Sequence, residues 1–186
     1  LETLGARNVK VLRGGLAAWQ AAGGAVATGA AAAAQPGDFA TQPDNHPIAT
    51  ADEIQSVLDA RDGHIVDARS LDAFMGKTTD ARPGHIPGAA SLPAATLYRS
   101  PDEPVRPHEL RLALSRVHVH TVHPIVIYGD SVAEAASVYF ALRLLGVVRV
   151  DVYPGGYAAW SSDAANPVEK PAAGAAPVTV STTCFQ

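Results

Sequence analysis

Apolar positions in this chain alternate between two spacings. Pro124 to Tyr128 reads PIVIY, a continuous apolar run of strand length such as a parallel sheet buries on both faces. His64 to Asp67, Ala90 to Leu92 and Val148 to Tyr153 are expected as three more short strands. Helical spacing lies between them. Thr50 and Glu53 form a capping box ahead of Ile54, Val57 and Leu58. Leu71 to Met75 makes a helical turn or two, and Leu110, Leu112, Leu114 and Val117 space a helix over Glu109 to Val117, after a Pro-rich surface loop. Val138, Ala141, Leu142 and Leu145 do the same within Ser131 to Leu145, with Gly146 where a helix would end. Gly155 to Ser161 is the last helix. Strands alternating with helices predict an α/β domain with a parallel sheet flanked by helices.

The front of the chain repeats the end of that domain. Leu1 to Trp19 aligns without gaps with Leu142 to Trp160, at an offset of 141 residues. Leu1, Leu4, Gly5, Val9, Val11, Gly14, Gly15, Ala17, Ala18 and Trp19 each meet an identical residue, more than shared Ala and Gly richness produces. Two copies of one domain are implied. Asn8 to Leu12 then reads as a strand and the stretch carrying Leu16 and Trp19 as a helix, so residues 1–24 are the C-terminal remnant of a first copy. Residues 25–46 are an Ala, Gly and Pro-rich linker, 47–165 the complete domain and 166–186 a flexible tail. The chain reads as the C-terminal part of a longer tandem protein. A lone strand and helix cannot bury a core, so residues 1–24 are expected to pack on the complete domain or on the rest of their own.

Composition narrows the partners. With 186 residues, 47% of them apolar, the chain supports one core of roughly 120 residues once the remnant, linker and tail are set aside. A net charge of −4 offers no basic face to nucleic acid or an anionic membrane. No apolar run approaches the roughly 20 residues of a membrane span. The single cysteine, Cys184, excludes an internal disulfide framework and a cysteine-only metal site, and the cytoplasm is expected, with the periplasm as alternative.

Four motifs, in this order and spacing, carry a resemblance: Asp67-Ala68-Arg69 after a strand, Gly84-His85-Ile86-Pro87-Gly88-Ala89, PIVIY followed by a tight loop and helix, and the GG-x-x-x-W endings at Trp19 and Trp160. The chain resembles a rhodanese, the sulfurtransferase fold, over Pro47 to Ala165 and the fragment before Gly24. The resemblance implies sulfur transfer from a small anionic donor, thiosulfate or 3-mercaptopyruvate, to a thiophilic acceptor, with no cofactor. It also implies a cysteine after the PIVIY-type strand, its persulfide cradled by backbone N–H groups at a helix start that lowers the thiol pKa. Here Gly129 takes that position. The arginine that helps hold the anionic substrate in active tandem members aligns with Ala73, before Phe74. Asp130 and Glu134 add carboxylates at the helix start, which favour the helix and repel an anion. The loop Gly129, Asp130, Ser131, Val132, Ala133 and Glu134 is therefore expected to be degenerate and structural. Cysteine phosphatases of related fold need the same missing nucleophile.

Tandem rhodaneses often pair an active with an inactive copy, usually with the C-terminal copy active; the degenerate copy here is C-terminal. The partner expected is the preceding rhodanese-like domain. The alternative is a non-enzymatic binding or regulatory module. Among single residues, Arg69 is expected to pair with Asp67 or line the pocket, and His85 to be a hydrogen-bonded residue of its turn. His118, His120 and His123 have metal-ligand spacing but read as a surface loop with no metal. Cys184 has no neighbour that would lower its pKa. Trp19 and Trp160 read as core anchors.

Overall fold

The computed structural model describes residues 1–30, 33, 35–42, 47–100 and 103–171. In chain order the elements are α1 (Gly15–Ala21), α2 (Ala51–Ala60), β1 (His64–Asp67), α3 (Leu71–Phe74), β2 (Ala90–Ser91), β3 (Tyr98–Ser100), β4 (Glu103–Pro104), α4 (Pro107–Arg116), β5 (Ile125–Tyr128), α5 (Val132–Leu144), β6 (Val150–Val152) and α6 (Gly156–Ser162). β2, β1, β5 and β6 form one sheet in that order, every pairing parallel. Ile48 bridges Val152 in the same sense on the outer side of β6.

Strand periodicity assigns the two faces of the sheet. Val66, Ile125, Ile127, Val150 and Val152 pack with Leu110, Ala113 and Leu114 of α4 and with Ala135, Val138, Ala141 and Leu142 of α5. Ile65, Val126 and Tyr128 pack on the opposite core with Ile54 of α2, Phe74 of α3, Ile86, and Tyr157 and Trp160 of α6. A sheet covered on both faces needs strands apolar throughout, which is why all four residues of β5 are buried. The Thr50 capping box starts α2, with Glu53 N–H donating to Thr50 Oγ1 at 3.3 Å and Thr50 N–H to Glu53 Oε2 at 2.6 Å.

Several local expectations change. β2 and β6 are shorter than the apolar runs that predict them. α4 begins at Pro107, because proline at the first helical position has its φ set and needs no N–H partner. β3 and β4 pair as an antiparallel hairpin within the stretch expected to be a surface loop. Asn8 to Leu12 pairs with no strand among the described residues, for a strand forms only where an edge offers it hydrogen bonds. Trp160 is fully buried as a core anchor, but its counterpart Trp19 is 46% exposed, on a helix α1 that has no buried residue. The tail does not leave the domain at Asn166. Glu169 N–H donates to His85 O at 2.9 Å and His85 N–H to Glu169 O at 2.8 Å, so the segment straps the Gly84–Ala89 turn. Gly84 permits this approach: its φ is +142°, and a Cβ there would lie 2.3 Å from Glu169 O. Cys184 and the rest of the tail lie outside the described residues.

Candidate functional site

The loop after β5 is organised around one side chain, Glu134. Ser131 caps α5, accepting a hydrogen bond on Oγ from Glu134 N–H at 3.2 Å. In return, Glu134 Oε2 accepts from the N–H groups of Asp130 at 2.9 Å and Ser131 at 3.3 Å. A carboxylate at the first turn is favoured by the helix dipole and satisfies otherwise orphaned N–H groups. It also occupies those donors. A Cβ at Gly129 would stand 3.0 Å from both Glu134 Cβ and Ser131 O, and 3.1 Å from Glu134 Oε2.

The loop is fastened from the other side by the GG-x-x-x-W ending. Tyr157 N–H donates to Gly129 O at 3.0 Å. The helix start reaches this close only without a side chain at Gly156, whose φ is +61° and whose Cβ would lie 2.5 Å from Gly129 O. At the far end of α6, Arg82 caps the chain, donating from Nη1 to Asp163 O at 2.6 Å and from Nη2 to Asn166 O at 2.7 Å.

Beneath the loop lies a buried ion pair. Asp67 and Arg69, each fully buried, meet through Nε to Oδ1 at 3.0 Å and Nη2 to Oδ2 at 2.7 Å. Arg69 Nη2 also donates to Gly84 O at 2.7 Å, and its guanidinium stacks 3.8 Å from the Tyr157 ring centre. Tyr128 OH donates to Asp67 Oδ2 at 2.6 Å and accepts from Ile86 N–H at 3.1 Å. The two motif turns are thus tied to the strand end. Arg69 Nη1 is buried without a hydrogen-bond partner, and Asp130 Oδ1 is 3.9 Å from it. Burial works against the Arg69 charge, but the hydrogen bonds and charge of Asp67 outweigh it and raise the pKa. Burial pushes the Asp130 carboxyl up against the pull of Arg69, with Glu134 adding to the rise. Burial, then the charge of Asp67, raises the Tyr128 phenol well above its ordinary value.

The structure brings Asp67, Arg69, Asp130 and Glu134 together and sets His85 apart. His85 Nδ1 donates to Phe74 O at 2.9 Å, and its ring stacks 3.8 Å from that of Phe74. Ala73, on α3, is buried. Sequence reading missed Tyr128, Tyr157 and Arg82. The two tyrosines were legible only as apolar positions, and no pattern marks an arginine whose acceptors are backbone carbonyls.

His120 and His123 lie near His64 rather than His118, each ring centre 5.7 Å from that of His64. Among the described residues no group of three His, Cys, Asp or Glu is placed to hold a metal ion. His120 N–H donates to His64 Nε2 at 3.0 Å, which requires that nitrogen unprotonated. Burial, then the charges of His120 and His123, holds the His64 pKa below its ordinary value. The unfolded chain therefore takes up the proton first, and the stability present above about pH 6.5 is lost as pH falls toward the folded-state pKa. Urea midpoints across that window should drop in the native chain and flatten in His64→Gln; identical profiles would remove His64 as the cause.

Comparison with known proteins places this geometry. The rhodanese-like domain family matches residues 50–163. A probable 3-mercaptopyruvate sulfurtransferase of Pseudomonas aeruginosa is 34% identical over 178 residues, 90% of this chain and 60% of that protein. Among solved structures, wild-type EanB superposes with a TM-score of 0.80 at 26% identity, over 92% of this chain and 43% of the EanB chain. A structure of an EanB variant with ergothioneine gives 0.81 at the same identity and coverage. The chain thus spans about 60% of the length of the curated relative and less than half of the EanB chain. No helix among the described residues is long and apolar enough to cross a membrane. With the family match covering the strand-loop-helix unit and the buried Asp67–Arg69 pair beneath it, this chain belongs to the rhodanese-like domain family.

Proposed function

We propose that residues 47–165 are a catalytically silent copy within a tandem rhodanese-family sulfurtransferase, following a copy whose last strand and helix are residues 1–24. The observation that carries the first half is Glu134. In an active copy the loop N–H groups receive the sulfur borne by a cysteine; here the neighbouring N–H groups of Asp130 and Ser131 are taken by a carboxylate of the same chain, and Gly129 supplies no nucleophile. No persulfide forms on this copy. Its role is to stabilise the tandem, with the Asp67–Arg69 pair and the Tyr157 N–H holding the loop in one shape.

The second half is supported by burial. Leu142, Val150 and Trp160 are at most 1% exposed in the complete domain, whereas the matched Leu1, Val9 and Trp19 are 75%, 40% and 46% exposed. Residues of one type, at matched places in one repeat, serve as core in one copy and lack a core in the other. The similarity to a probable 3-mercaptopyruvate sulfurtransferase favours that small anionic donor, with thiosulfate as alternative, and a thiophilic acceptor for the longer protein. The lone cysteine favours a cytoplasmic setting.

The test is sulfur transfer to cyanide from each donor, followed as thiocyanate, by residues 1–186 and by the longer protein. The expected result is turnover in the longer protein and none above background in residues 1–186. Turnover by residues 1–186 alone would overturn the silent-copy reading. Its absence from both would favour a binding or regulatory module.

A further inference from the structure

β2 forms one edge of the sheet, and a cavity of about 190 Å³ lies beside it, lined by Phe74 of α3, by Ala89, Ala90 and Ser91, and by Val117 and His118 after α4. Of these six side chains only Ser91 and His118 are polar. None of the six belongs to the Gly129–Glu134 loop or to the Asp67–Arg69 pair. Two features mark the place. Ser91 is 4% exposed, and its Oγ has no hydrogen-bond partner among the described residues. A buried hydroxyl costs free energy until something bonds to it. His118 holds φ at +57° where the chain turns out of α4, a left-handed conformation that glycine adopts without cost. Arg61 is the one other non-glycine residue with positive φ among the described residues. The unpartnered hydroxyl and the strained backbone thus meet at one cavity.

We propose that this cavity is a binding site for a small monocarboxylate. The class follows from the lining. The Ser91 O–H and an imidazole N–H of His118 are two donors, and a carboxylate brings two acceptor oxygens. Phe74, Ala89, Ala90 and Val117 offer the rest of the molecule an apolar surround. An apolar cavity of about 150 Å³ takes benzene, so the volume suits a body of a few carbons. No Asp or Glu lines the cavity, so an anion meets no like charge on its walls. The loop after β5 is the opposite case, since there the Glu134 carboxylate already holds the N–H groups that an anion would need.

The experiment is a titration of residues 1–186 with sodium propionate, followed through amide chemical shifts, with 1-propanol and sodium chloride as the matched neutral and ionic probes. The expected result is a saturable shift with propionate at residues 89–91 and 117–119, and binding of 1-propanol at least about tenfold weaker, the difference that charge-assisted hydrogen bonds make. Ser91→Ala removes a hydroxyl that has no partner, so the fold is kept while propionate binds at least about fivefold more weakly. His118→Asn keeps a residue that tolerates positive φ and removes the imidazole, with a loss of similar size. A propionate shift that does not saturate, or that chloride reproduces, overturns the site. Equal affinity for 1-propanol overturns the carboxylate assignment. Unchanged propionate affinity in both variants places the binding elsewhere and overturns the proposal as well.

Discussion

Replacing Arg69 by alanine should lower the stability of the domain by about 3–5 kcal/mol, the cost of leaving a buried charge without its partner. Asp67 is fully buried, and Arg69 supplies it with hydrogen bonds from Nε and Nη2. Without the guanidinium, the Asp67 carboxylate keeps Tyr128 OH and the main-chain N–H of position 69 as donors. Gly84 O loses the donor that ties the strap-bearing turn to the strand end, and the Tyr157 ring loses the cation stacked on it. The loss reaches both motif turns, so urea unfolding followed by far-UV circular dichroism should give a lower midpoint with an unchanged slope. The milder Arg69→Lys should recover only part of the loss, since an ammonium makes a point contact where the guanidinium makes a fork. An Arg69→Ala midpoint within experimental error of the native one would mean that the buried Asp67 carboxylate is satisfied without the guanidinium.

Restoring a cysteine at position 129 should not restore a reactive thiol. In Gly129→Cys the new Cβ would stand 3.0 Å from Glu134 Cβ and Ser131 O, inside van der Waals contact, so these neighbours must give way by a few tenths of an ångström, and the thiol shares the loop with the Glu134 carboxylate. A neighbouring negative charge disfavours the thiolate, so the thiol pKa should sit above its ordinary value of about 8.5. Removing that carboxylate in Gly129→Cys/Glu134→Ala frees the Asp130 and Ser131 N–H groups, which then face the sulfur at a helix start. The thiol pKa should fall by at least about one unit, and alkylation by iodoacetamide at pH 7 should quicken about tenfold. Exposure to thiosulfate should add one sulfur to the double variant and none to the single variant, by intact mass in a Cys184→Ala background. A single variant that alkylates as fast as the double one would show that Glu134 does not close the loop.

The parts of the fold that follow from side-chain periodicity were readable in the sequence. PIVIY predicts a central strand because both faces of a covered sheet demand apolar residues, and the Thr50 and Glu53 pair predicts the start of α2 because its hydrogen bonds are local. The capping role of Glu134 was half visible: its place in the first turn of α5 is a matter of spacing, but its reach back to the Asp130 N–H depends on the loop's shape. The strap at Asn166 to Glu169 was invisible, as its bonds run between main-chain groups that every residue carries. Asn8 to Leu12 misled for the opposite reason. Its alternation matches that of Val148 to Tyr153, but a strand is a property of a pair of segments, and Asn8 to Leu12 pairs with no strand among the described residues.

The strap has a mechanical consequence. A pull on the C-terminal tail meets Glu169 before it meets the sheet, and there the load falls on the two main-chain hydrogen bonds, 2.8 and 2.9 Å long, that close a single antiparallel bridge to His85, and on the Gly88 N–H donated to Glu169 Oε2 at 3.2 Å. Such a bridge parts like a zip. Behind it the Arg82 fork on Asp163 and Asn166 and the buried Trp160 take up the strain, and only after they yield does tension reach β6. Tension from this end therefore dismantles the molecule in stages, strap first, with the sheet and the Asp67–Arg69 pair intact until the last.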